Sequence, residues 1–70
     1  MLDVHAIAID YRANPITRWV VRAVACGTEM GEVVLRDGSF RARGPAETET
    51  RHPSLKAARD HLAGSHARSC

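Results

Sequence analysis

Seventy residues with a formal charge of +2 make one small domain, because a chain this short buries only about 60% of its unfolded surface. Leu, Ile, Val and Phe together number only fourteen, so the core is thin, although the charge is too low for a disordered chain. One domain is the expectation for seventy residues, and the mild charge does not by itself imply a polyanionic partner.

A core this lean gains stability from self-association where no disulfide framework or dense set of metal ligands is evident, so a folded domain that forms a homodimer is expected. The basic residues are nine arginines and Lys56, beside eleven alanines. GC-rich coding produces that bias, which points to a high-GC bacterium or its phage as the source. The opening residues Met1 to His5 lack a basic leader, and the apolar stretch Ala6 to Ile9 is too short for a signal or a membrane span. A cytoplasmic location follows as the expectation, with Cys26 and Cys70 reduced and a bridge between them disfavoured by that compartment.

The segment Leu2 to Arg12 carries Val4, Ile7, Ile9 and Tyr11. Ile7, Ile9 and Tyr11 share one face of a strand, while Val4, Ile7 and Tyr11 also fit a helical stripe; the β-branched content favours the strand. Asn14-Pro15 breaks the chain. Arg18 to Cys26 is the strongest strand, with Trp19, Val21, Ala23 and Ala25 on one side and Arg18, Val20, Arg22 and Val24 on the other. Gly27 to Gly31 is expected to turn, and Glu32 to Arg36 to return as a strand. Asp37-Gly38 suits a two-residue hairpin in which both positions take positive φ. Ser39 to Arg43 is the third strand of this meander. Gly44 to His52 shows no periodicity and is expected as a polar loop that includes Glu47 and Glu49. Ser54 is a good N-cap for a helix carrying Leu55, Ala58 and Leu62, and Gly64 suits the position where the chain leaves it.

These elements predict an α+β fold: an antiparallel β-meander of three or four strands packed on one face by a C-terminal α-helix. The domain is expected over residues 1–63, with residues 64–70 as a frayed tail. Trp19, Val21, Val33, Leu35 and Phe40 should face Leu55, Ala58 and Leu62.

The alternation leaves Arg18, Arg22, Arg36, Arg41 and Arg43 on the open face of the sheet, with Glu32 the one acid among them. Five arginines there can contact phosphates and, through the planar fork of the guanidinium, guanine edges. An antiparallel sheet with one solvated face also places polar residues there with no ligand in view. The order of strand, strand, Asp37-Gly38 turn, strand, polar loop and helix, with Trp19, Phe40 and the Ser54-to-Leu62 helix, resembles the three-stranded-sheet-plus-helix arm-type DNA-binding domain of tyrosine recombinases. Its layout is similar to that of the plant AP2 domain as well. The resemblance runs from about Trp19 to Leu62, and it implies that Arg22, Arg36, Arg41 and Arg43 face DNA. The chain departs from that pattern in having no catalytic domain after the helix, few lysines, and acids at Glu47 and Glu49.

A second surface lies at the N-terminal strand. As a sheet edge, Val4, Ile7 and Ile9 would offer apolar side chains and free backbone donors to another copy; the same strand could equally complete its own sheet. His61, His66, Cys70 and Cys26 make only a faint metal signal, without a CxxC or HxxxH knuckle, so no metal site is expected. No cofactor motif is present, and neither Cys26 nor any serine has a base in a recognisable arrangement. The sequence therefore reads as a non-enzymatic binding module with no small-molecule substrate and no membrane partner. Double-stranded DNA is the favoured partner, and the alternative is a module that homodimerises through its N-terminal strand and binds an acidic protein.

Overall fold

A computed structural model describes residues 3–10, 12–44 and 48–65. Five strands precede one helix: β1 Val4–Ala8, β2 Arg18–Ala23, β3 Glu29–Arg36, β4 Ser39–Arg43, β5 Thr50–His52 and α1 Leu55–Ser65. The strands form a single sheet in sequence order, each antiparallel to the next. The fold class is the one expected, but the sheet has five strands where three or four were expected. The extra one, β5, comes from the segment expected as a loop. Thr50 and His52 lie half-buried and Arg51 is exposed, an alternation too short to stand out in the sequence.

Sequence chemistry accounts for the joints. Asp37 and Gly38 take φ values of 51° and 76°, as a two-residue hairpin between β3 and β4 requires. At the helix start, Ser54 Oγ accepts a hydrogen bond from the Ala57 amide at 3.1 Å, the expected N-cap. α1 runs on through Gly64 to Ser65, past the exit assigned to Gly64 in the sequence reading. Residues 66–70 of the predicted tail lie outside the described residues, as do Leu2, Tyr11, Glu47, His66 and Cys70.

Two boundaries between β2 and β3 differ from expectation. β2 ends at Ala23, where the Ala23 amide bonds Thr28 O and the Gly27 amide bonds Ala23 O, each at 2.9 Å. Val24, Ala25 and Cys26 therefore belong to a turn. β3 begins at Glu29, because the pairing slips between Val21↔Gly31 and Arg22↔Glu29. Met30 is the unpaired residue of that bulge, and the bulge turns its side chain into the core at 1% exposure. Cys26 is disulfide-bonded, against the expectation of reduced thiols.

The core lies between the sheet and α1. Val21, Ala23, Met30, Val33, Ala42, Ala58 and Leu62 form it, with Val4, Ala6, Trp19, Phe40 and Leu55 packed around them. Trp19 and Phe40 meet with ring centroids 5.8 Å apart, and Leu35 stays half-buried outside this cluster. Gly31 lets the helix come close: a Cβ there would stand 2.6 Å from Arg43 O and 2.9 Å from Leu62 Cδ2. Because α1 covers one side, the other side of the sheet is left to solvent. Among the described residues no helix is long and apolar enough to cross a membrane.

Candidate nucleic-acid interface

The open face follows from the register. Arg18 lies opposite Val34, Val20 opposite Glu32, and Arg22 opposite Glu29. Across the next pair Glu32 meets Arg43, Val34 meets Arg41, and Arg36 meets Ser39. Residues directly opposite in a sheet share a face, so all five predicted arginines stand together on the side away from α1. β5 adds a sixth, Arg51, opposite Arg41. The sequence reading missed it because Arg51 sits in a three-residue strand; its one visible signal was the Thr-Arg-His alternation.

These arginines are not equivalent. Two like charges directly opposite each other disfavour pairing, and the Arg41–Arg51 pair is relieved by acids around Arg41. Arg41 Nη1 lies 3.3 Å from Glu49 Oε2, and its Nη2 lies 3.9 Å from Asp37 Oδ2. The side chain is only 14% exposed, and its Nε has no acceptor among the described residues. Arg18 donates to Glu32 Oε1 at 2.9 Å, an exposed pair worth about 0–1 kcal/mol. Arg22 donates to the Gly27 carbonyl at 3.3 Å. Arg36, Arg43 and Arg51 are exposed and enter no ion pair among the described residues.

The acids are more numerous than expected. Glu29 joins the face through the bulge, and Glu49 reaches it from the segment before β5. Together with Glu32 they share a shallow depression of about 500 Å³ over β3 and β4 with Arg36, Arg41 and Arg43. The surface is thus a mixed-charge one with an arginine surplus, floored by half-buried Val20 and Val34. No family model, curated protein or solved structure matches this chain. The site therefore has to be read from its own residues.

The N-terminal strand is an edge of the sheet. Val4 turns to the helix side and packs against the core, whereas Ile7 and Ile9 are 41% and 45% exposed. Near the other edge, the His52 and His61 rings lie 5.0 Å apart, and Thr50 Oγ1 lies 2.9 Å from His52 Nε2. Burial, and then the neighbouring His61, lower the pKa of His52 from its ordinary 6.5. No group of three or more His, Cys, Asp or Glu side chains suited to a metal ion is found among the described residues.

Proposed function

We propose that this chain is a non-enzymatic nucleic-acid-binding module that lays the open face of its sheet against the backbone of a DNA duplex. The observation that carries this reading is the gathering of arginines from β2, β3, β4 and β5 on the one face that α1 leaves uncovered. Guanidinium forks match phosphate oxygens two at a time and stay charged at every relevant pH. Arg22, Arg36, Arg43 and Arg51 are the contacts. Arg41, held by Glu49 and Asp37, fixes the local arrangement, and Arg18 is released from Glu32 as a phosphate approaches. A β-sheet of this width enters a major groove or lies along the backbone.

The test is fluorescence anisotropy on a labelled mixed-sequence duplex across a salt series, for wild type and an Arg36→Glu/Arg43→Glu variant. Low-salt binding that weakens steeply with salt and is lost in the variant is the expected outcome. Absence of binding at low salt, or equal binding by the variant, would overturn the reading and turn attention to an acidic protein partner.

A further inference from the structure

The two edges of the sheet are protected very differently. β5 is three residues long, carries Arg51 at its centre, and leads within two residues into α1. Natural sheets guard their edges with such short, charged strands. β1, of sequence VHAIA, holds no Lys, Pro, Asp or Glu over its five residues. Its backbone is also available. The Ile9 amide bonds Arg18 O and the Val24 amide bonds Asp3 O, so the odd-numbered residues bond inward to β2. Alternation then leaves the N–H and C=O groups of Val4, Ala6 and Ala8 on the free edge.

A second observation falls at the same place. The large hydrophobic side chains left exposed among the described residues are Ile7, Ile9 and Val24, at 41%, 45% and 53%. Ile7 is in β1, Ile9 follows its end, and Val24 is bonded to Asp3 at its start. Ile7 and Ile9 therefore line the unguarded edge, with Val24 on the inner side of its start, while the arginines lie on the other strands.

We infer that β1 is a self-association edge that pairs antiparallel with β1 of a second copy about a two-fold axis near Ala6. A second copy fits better than an unrelated strand because the edge complements itself. With Ala6 at the axis, Val4 of one chain faces Ala8 of the other on the helix side, where small residues let the backbones close up. His5 faces Ile7 on the open side. The pairing is isologous and uses up the one unguarded edge among the described residues, so it closes at a dimer instead of growing into a fibre. It joins the two five-stranded sheets edge to edge and sets the exposed Ile7 of each chain against His5 of the other, diagonal to the second Ile7. This inference does not depend on nucleic-acid binding.

Its test is the solution mass of the full chain by light scattering over a dilution series, with and without reductant so that any disulfide-linked species is recognised. Wild type is expected at twice 7.7 kDa under both conditions, dissociating on dilution. Ala6→Pro removes an outward-facing N–H, which an edge strand tolerates, and adds its ring at a position flanking the core; it is expected as a monomer with an unchanged far-UV spectrum. Ile7→Lys leaves the backbone intact and is expected to raise the dimer dissociation constant on the order of 100-fold. Should Ala6→Pro fail to fold, Ile7→Lys alone decides. A monomeric wild type at every concentration, a dimer present only without reductant, or a folded Ile7→Lys variant that dimerises like wild type would overturn the inference.

Discussion

A methyl group on Gly31 would enter space already held by Arg43 O at 2.6 Å and Leu62 Cδ2 at 2.9 Å. The carbonyl belongs to the paired strand and cannot swing aside, and Leu62 is fully buried in the core. Gly31→Ala is therefore expected to destabilise the fold by about 1–3 kcal/mol, the usual range for overpacking. Urea unfolding measures it, and a variant as stable as wild type would mean that the helix does not approach the sheet so closely. His52 gives a different prediction at this scale. The unfolded chain protonates this imidazole near its ordinary 6.5, whereas the folded chain does so only at lower pH. Between those values the unfolded state binds more protons, so stability falls as pH drops below about 6.5 and is flat above it. Melting temperatures from about pH 7.5 to about pH 5 should show this slope in wild type and a weaker one in His52→Gln. Identical slopes would rule out His52 as the source.

At the scale of single elements, the N-cap contact of Ser54 with the Ala57 amide, 3.1 Å long, makes Ser54→Ala a test of how far α1 depends on its cap. A loss of about 1 kcal/mol is expected in the same urea titration; no loss would show that packing of Leu55, Ala58 and Leu62 alone holds the first turn. This cap was legible in the sequence, as was the Asp37-Gly38 hairpin, because each rests on chemistry within four residues. The five arginines of the open face were legible too, since period-2 alternation assigns a side without knowledge of partners. Met30 was hidden for the opposite reason. A bulge puts Met30 and Gly31 in succession on the buried side, which breaks the alternation from which a strand is recognised. The same slip carries Glu29 onto the arginine face opposite Arg22. β5 was hidden because its helix-side positions hold Thr50 and His52, polar residues satisfied locally by the Ala42 carbonyl and by each other. Arg51 was missed along with the strand that carries it.

For the whole molecule, the distribution of charge decides more than its sum. Six arginines stand on the open face against Glu29, Glu32, Glu49 and the Asp37 that pairs with Arg41, a surplus of two positive charges, which equals the +2 of the entire chain. The remainder is thus close to neutral, and attraction to a polyanion is confined to one side. That surplus bounds the salt response. At about 0.9 counterions released per neutralised phosphate, the slope of log K against log salt should lie between about −2, if the acids keep their arginines, and about −5, if every arginine is freed. Glu29→Gln/Glu32→Gln removes two of these four acids without touching the core. It is expected to tighten duplex binding about tenfold at low salt and to steepen the slope by about 1 to 2. The Arg18–Glu32 contact is exposed and weak, so its loss leaves the melting temperature nearly unchanged. An affinity and slope equal to those of wild type would place the duplex elsewhere on the molecule, because no polyanion lying on β2, β3 and β4 could be indifferent to two carboxylates between its phosphates and the arginines.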